Sequence, residues 1–514
     1  MVERACDGIV KWGLAVLIAF TPLAFGTVED WSLAIMEWGL VTLALVYLFA
    51  RMWTGASPAR ARRGLTGIEI PAVLFLGLCA AQTLPMPMAW LRVLSPESAR
   101  MYTPIDATSL SDAQRIGPVE EIQSDPVLNP TIPVDRPISL RPGETWKRWR
   151  LAASLVALFF LVAFWVDRRE RAVFLIITVT TVGFLVAVEG LVQYLAWNGK
   201  IYWIRKVPPS SPFGPFVNHN HFAGYVEMVI PVAISLAFYL VALRRSEGHS
   251  PPSSPAPFSD GWRGSAAHLE HWGQGGLAMF AAIILIVGLV FSTSRGGILS
   301  TGISGLILFM VIRHRFASRV LAWSAAGALL AVVVILVCWI GADVISDKIR
   351  SSSELPSEAS FRTRLIVWEA VVRNLPGFVW VGAGLGAFEE GFAPRIPPGA
   401  STRWDKAHND YLQFLWETGV VGTLILIACA ALFARRYWWP ALTGRGHSLD
   451  ILRIGIAVAL MSLALHSVVD FNLQIASNGF LCALLGGILI GIHRMIEEEH
   501  LGRPVLVREE SSPS

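Results

Sequence analysis

Charge is what this sequence has least of: 16% of its 514 residues are charged, against roughly 25% in soluble domains. That scarcity, with 54% hydrophobic residues and a mean hydropathy of +0.53, excludes a large soluble domain. Cysteine is sparse as well. The five (Cys6, Cys79, Cys338, Cys429, Cys482) stand far apart, four of them in apolar runs, so neither a CxxC site nor a disulfide framework is indicated, and buried small hydrophobes are the simple reading. The net charge is only +4, carried in short basic clusters between apolar runs, which excludes nucleic acid as an expected partner. No fixed-period or inverted repeat is visible.

Long apolar runs are abundant. About twelve reach the roughly 17–25 residues that cross a bilayer: near 9–27, 31–50, 68–90, 149–166, 172–197, 221–243, 277–294, 297–312, 320–341, 409–434, 450–470 and 474–492. The expected fold is an all-α integral membrane bundle of about twelve transmembrane helices. Membrane lipids are then partners by necessity. The first run has Lys11 near its start and no small-residue cleavage site after it, and reads as a retained helix, not a removed signal peptide. Every second connection is basic: Arg51 to Arg63, Arg168 to Arg171, Arg244 to Arg263, Arg313 to Arg319, and Arg435 to Arg445. Short Lys/Arg-rich loops stay cytoplasmic. Both termini are therefore expected inside, and 28–30, 91–148, 198–220, 295–296, 342–408 and 471–473 outside.

This gives a layout of helices 1–9 over 1–341 with the Pro-rich outward segment 91–148, a large outward loop 342–408, helices 10–12 over 409–493, and a cytoplasmic tail 494–514. In the large loop, apolar residues recur at helical spacing from Glu358 to Asn374 (Phe361, Leu365, Trp368, Val372) until Pro376, predicting an amphipathic surface helix. The cytoplasmic "EGHSPPSSPAPFSDG" has the composition of a linker.

Ionisable residues are costly in a bilayer and mark pathways or sites. They collect at the outward ends: Glu189 and Gln193; Asn218, His219, Asn220, His221 and Glu227; Ser292, Ser294 and Arg295; His408, Asn409 and Asp410; and His466, Asp470 and Asn472, with Arg362 and Arg364 added by the loop. A cationic, His-containing cleft roofed by 342–408 is the simplest arrangement that gathers them. Each member has a plainer reading. Asn409 and Asp410 suit a helix cap, Arg295 can reach headgroups, Arg362 and Arg364 suit the polar face of a surface helix, and His466 with Asp470, four apart, suits a structural hydrogen-bonded pair. His219 and His221 form an HxH pair without a partnering ligand pattern, and no DxD occurs, the nearest outward acidic pair being Glu29-Asp30. No metal or other cofactor is expected. Arginine forks match phosphate oxygens and helix N-termini favour anions, so a diphosphate substrate fits this group. His408 would take a proton from an attacking hydroxyl, and the arginines would offset charge on a departing diphosphate.

Four stretches carry a resemblance: His408-Asn409, then nine residues to Gly419 and two more to Gly422; "STSRGG" at 292–297; "FRTRLIVWEAVVRNLPGFVWVGAGLGAF" at 361–388; and "FGPFVNHNHFAGY" at 213–225. Together they span roughly 210–480 and resemble the O-antigen ligase/polymerase superfamily of bacterial polytopic membrane glycosyltransferases. The topology, with its long outer loop before the His-bearing helix, is similar too, and resembles C-type glycosyltransferases. The resemblance implies inverting, metal-independent transfer of a glycan from a polyprenyl (undecaprenyl) diphosphate carrier to a hydroxyl acceptor, either lipid A–core or a growing glycan, at the periplasmic face of the inner membrane. It implies His408 as the activating group and Arg295 and Arg364 on the diphosphate, with Arg362, Asn409, Asp410, Asn218, His219, Asn220, His221, Glu227 and Asp470 around the substrates. The family's outer-loop motif, Arg, three residues and Leu, is not matched cleanly, since Ile366 follows Arg362 and Trp368 follows Arg364. An anion transporter using Glu189 and Glu227, and a non-catalytic scaffold of a polysaccharide assembly complex, are the alternative classes; the near absence of polar residues in the cytoplasmic halves of the spans speaks against transport.

Overall fold

The structure, a computed structural model, describes residues 2–53, 65–102, 135–207, 211–247, 260–313, 361–397, 403–444 and 446–501, together with 323, 324, 327 and 331. It is almost wholly helical. In chain order the helices are α1 (Val2–Leu23), α2 (Asp30–Trp53), α3 (Glu69–Ala81), α4 (Met88–Leu94), α5 (Pro96–Tyr102), α6 (Pro142–Trp165), α7 (Arg169–Leu195), α8 (His219–Glu247), α9 (Asp260–Ser292), α10 (Arg295–Ile312), α11 (Phe361–Asn374), α12 (Phe388–Phe392), α13 (Asp410–Phe433), α14 (Trp439–Thr443), α15 (Asp450–His466) and α16 (Ala476–His500). Two short strands, β1 (Lys200–Ile201) and β2 (Arg205–Lys206), form an antiparallel hairpin.

Among the described residues nine helices are long and apolar enough to cross a membrane, and the chain is a multi-pass membrane protein. Two runs that hydropathy extends further are shorter as helices. The run 68–90 is not one helix: α3 ends at Ala81 and α4 starts at Met88, because Pro85 and Pro87 cannot donate to a helix ladder; Met86 between them instead exchanges backbone hydrogen bonds of 3.0 Å with Arg136. The run 450–470 is a 17-residue helix ending at His466. The span expected near 320–341, and residues 103–134, 342–360 and 494–514 apart from the end of α16, lie mostly or wholly outside the described residues.

The chain divides into two compact units. The first comprises Met1–Ile68, Leu151–Leu355 and Ala430–Ser514. Here α8 is the centre, packed against α7, α9, α10, α15 and α16. Between Phe222 and Tyr239 it is apolar around most of its circumference, as suits an enclosed helix, and Phe222, Ala223, Val226, Met228 and Val229 are completely buried. Helix α16 meets α6 through small residues that let backbones approach: a Cβ on Gly491 would stand 2.6 Å from the Val166 carbonyl oxygen.

The second unit comprises Glu69–Arg150 and Pro356–Cys429. Its core gathers Val367 and Val371 of α11, Phe378, Phe388, Phe392, Trp404, Ala407 and Trp416, with the Phe378 and Trp416 rings 4.7 Å apart. The predicted amphipathic helix is α11. It is described from Phe361 to Asn374, the expected start at Glu358 lying outside the described residues, and the chain then tightens into the short turn Leu375–Phe378 around Pro376.

Candidate functional site

In the second unit, the His408 segment is fixed by bonds that run along one helix and back. Asn409 is the N-cap of α13, its Oδ1 accepting from the backbone N–H of Leu412 at 3.0 Å, the third helical residue. Asp410 opens the helix and is fully buried. One turn on, Gln413 accepts the Ala407 N–H at 3.0 Å and donates to Glu417 Oε1 at 2.8 Å, while Glu417 Oε2 accepts the Gly386 N–H at 2.8 Å. The Trp368 indole donates to the Ala407 carbonyl at 2.8 Å. Between these anchors His408 takes φ 50, a left-handed conformation uncommon for a residue with a Cβ. Its ring stands edge-on to Trp404, centroids 5.6 Å apart.

Helix α13 is broken at Gly419, where φ is 65 and ψ −170. In a bilayer every freed backbone group must be satisfied within protein, and residues 379–384 supply the partners. The Trp416 and Glu417 carbonyls accept from Ala383 and Gly384 at 3.0 Å, and the Val420 and Val421 N–H groups donate to Val379 and Trp380 at 2.7 and 3.1 Å. Gln82, fully buried, donates to the Val381 and Glu417 carbonyls at 2.7 and 2.9 Å and accepts from Leu385 at 3.0 Å. The approach leaves no room for side chains: a Cβ on Gly419 would lie 2.4 Å from the Trp380 carbonyl, and one on Gly382 2.3 Å from that of Glu417.

The two loop arginines occupy opposite faces of α11. Arg364 is half-buried and lies one turn before Trp368, on the side of Val367 and Val371, whereas Arg362, two residues earlier and so about 200° around the helix, is exposed. Arg364 is thus the arginine on the face tied to the His408 segment. Lys406, two residues before His408, is half-buried. Burial pulls its ammonium below the usual lysine range, with Arg148 adding to the effect and Glu417, Asp405 and Glu144 opposing it.

The first unit holds a second polar group. Arg295 begins α10 and is exposed, and Ser294 caps that helix, its Oγ accepting from Gly297 N–H at 3.3 Å. Beneath, Glu227 is fully buried on α8. It accepts from Ser300 Oγ at 2.5 Å and faces Nδ1 of His466 at 3.1 and 3.2 Å. The His466 ring therefore pairs with Glu227, 239 residues away, while Asp470, also buried, is joined to His466 through its backbone N–H at 3.1 Å. The 218–221 stretch is a helix start: Asn218 Oδ1 caps Asn220 N–H at 2.8 Å, the His219 ring faces the Ser211 carbonyl at 3.1 Å, and His221 packs edge-on against Phe471 at 4.8 Å. Asn478 ties this end together, donating to the His221 carbonyl and to Asn472 at 3.1 and 3.2 Å.

The sequence residues thus form two groups: His408, Asn409, Asp410 and Arg364 in the second unit, and Arg295, Glu227, His466, Asp470 and 218–221 in the first. Sequence reasoning passed over Gln82, Lys406, Gln413 and Glu417. Glu417 had a signal, being a carboxylate well inside an apolar run. Gln82 had none, since its role lies in partners some 300 residues away.

Residues 280–427 match the family described as O-Antigen ligase. No curated protein matches the chain.

Proposed function

Through residues 280–427 the chain belongs to the O-antigen ligase family, a glycan-transferring ligase/polymerase group, and from that premise we propose the reaction in detail. A glycan is moved from a polyprenyl diphosphate carrier to an acceptor hydroxyl at the periplasmic face of the inner membrane. The hydroxyl oxygen attacks the anomeric carbon from the side opposite the diphosphate, which inverts the centre. The carbon–oxygen bond to the carrier breaks and the diphosphate leaves with the electron pair. The hydroxyl proton passes to His408. Arg364 and Arg295 offset the charge on the diphosphate, so the protein's own cations do what a divalent ion does elsewhere.

The observation that carries this reading is the His408 segment: a histidine held in left-handed backbone immediately before a capped helix start, with Arg364 on the neighbouring helix face. Arg295 adds to it. A cation on the first residue of an 18-residue helix opposes the helix dipole and gains nothing locally, whereas an anion placed there would be bound by both. The acceptor is lipid A–core for a ligase and the growing glycan for a polymerase.

Gels of surface and carrier-linked glycans from wild type, deletion and His408→Ala hosts test this. Loss of glycan from its acceptor in both mutants, with glycan trapped on the carrier, is expected. Long trapped polymer identifies a ligase; single repeats left on the core identify a polymerase. A wild-type pattern in His408→Ala beside a deletion defect would reduce the segment to a cap.

A further inference from the structure

The buried Glu227–His466 pair belongs to the first unit and is not consumed by the transfer just described. It joins three helices: Glu227 comes from α8, Ser300 from α10 and His466 from the end of α15. All three side chains are 3% exposed or less, so none is placed to contact a bulky glycan. An ionisable pair enclosed in a membrane bundle is costly to keep, and its geometry shows what it secures. Nδ1 of His466 stands within hydrogen-bond distance of the carboxylate, to which Ser300 Oγ donates. The tautomer with its proton on Nδ1 is the one an ionised carboxylate selects, and the Nε2 edge of the ring rests on the first turn of α10: a Cβ on Gly296 would lie 2.7 Å from Nε2. Gly296 adjoins Arg295. Ser300, one turn and a half along the same helix, is clamped by the same carboxylate, so α10 is gripped at both its first and second turns. Asp470 faces the group from the turn after α15.

We propose that Glu227 and His466 are positioning residues that lock the first turn of α10 and thereby aim Arg295 at an anionic phosphate ligand. This rests on the reading that Arg295 meets the carrier diphosphate. The imidazole is a spacer of fixed thickness, oriented by the carboxylate at Nδ1 and braced against backbone at Nε2, as second partners orient ligating histidines elsewhere. The residue opposite Nε2 must then be glycine, as it is.

The two nitrogens provide the test, because asparagine places its amide N–H where Nδ1 stands and glutamine places it near Nε2. The purified full chain in detergent would be titrated with farnesyl diphosphate as a soluble probe, with unfolding midpoints measured alongside. Arg295→Ala should weaken the probe about tenfold, the loss of one charge-assisted contact. His466→Ala and His466→Gln should show a loss of similar size, and His466→Asn should stay within about threefold of wild type. Gly296→Ala, which leaves every polar group in place but pushes on the ring, should weaken binding like His466→Ala; it also serves if that variant does not fold. Rescue by Gln and not by Asn would put the action on Nε2 and overturn positioning, as would wild-type affinity in both His466→Ala and Gly296→Ala while Arg295→Ala binds poorly. Wild-type affinity in Arg295→Ala would remove the diphosphate role of that arginine, and the positioning proposal with it.

Discussion

His408 keeps φ 50 only because its neighbours on both sides are tied: Ala407 by Gln413 and Trp368, Asn409 by its cap to Leu412. Removing one tie should therefore disable the histidine without touching it. Gln413→Ala leaves the Ala407 N–H and one Glu417 oxygen without that partner, each costing about 1–3 kcal/mol, and glycan transfer in the host should fall by about 10²-fold, the lower end of what a proton-transfer group contributes; unchanged glycan on the gel would show that the left-handed turn holds itself. The arginines give a sharper contrast. Arg364→Ala should abolish transfer by about 10²–10³-fold while Arg362→Ala leaves it near wild type, since the two point away from one another on α11. Equal defects would mean the helix face does not select between them. Lys406 makes a pH prediction. Its folded-state pKa is depressed, so between that value and the ordinary lysine value of 10.5 the unfolded chain holds a proton the fold does not, and stability rises with pH across that window. Subtracting the unfolding profile of Lys406→Met from that of wild type isolates the residue, and the difference should grow in favour of wild type toward alkaline pH; a flat difference would say that Lys406 is solvated.

At the scale of one element, α13 shows what local sequence conceals. Hydropathy runs unbroken through 409–434, so the stretch reads as one continuous helix, yet it unwinds at Gly419 because residues 379–384 take over the bonds of the break. Nothing local announces this. The two glycine patterns that permit it, Gly382-Gly384-Gly386 and Gly419, are visible as letters, but their reason is mutual contact across some 35 residues of chain. Amphipathic α11 was legible for the opposite reason: its pattern is set by which residues of one segment face a core, and Pro376 ends it locally. Gly419→Ala should cost about 1–3 kcal/mol of stability in backbone strain alone, and more from the 2.4 Å approach to Trp380. Gly302→Ala on α10, where a Cβ meets nothing within 4 Å, should be neutral or stabilise by about 0.4–1 kcal/mol. Thermal unfolding of the two variants in detergent compares them directly; equal midpoints would contradict the tight approach at the break.

For the whole molecule, composition and the alternation of basic loops carry the reading, because bilayer thickness and surface charge act on segments independently of what they touch. That is why the multi-pass helical class was plain from the sequence, while the division into two units and the Glu227–His466 contact were not: both depend on pairings far apart in the chain. Orientation rests on the same segment-by-segment signal and is a prediction. If basic connections stay inside, the hairpin β1–β2 lies on the periplasmic side and the connection before α15 on the cytoplasmic side. In a background without native cysteines, Ile204→Cys, 78% exposed at the hairpin, should react with a membrane-impermeant maleimide on intact spheroplasts, and Ser448→Cys, also exposed, should react only after permeabilisation. The reverse pattern would turn the His408 end of α13, opposite the Arg435-Arg436 end, toward the cytoplasm. Transfer to an acceptor on the periplasmic leaflet would then be impossible for His408, however well Gln413, Glu417 and Trp368 hold it.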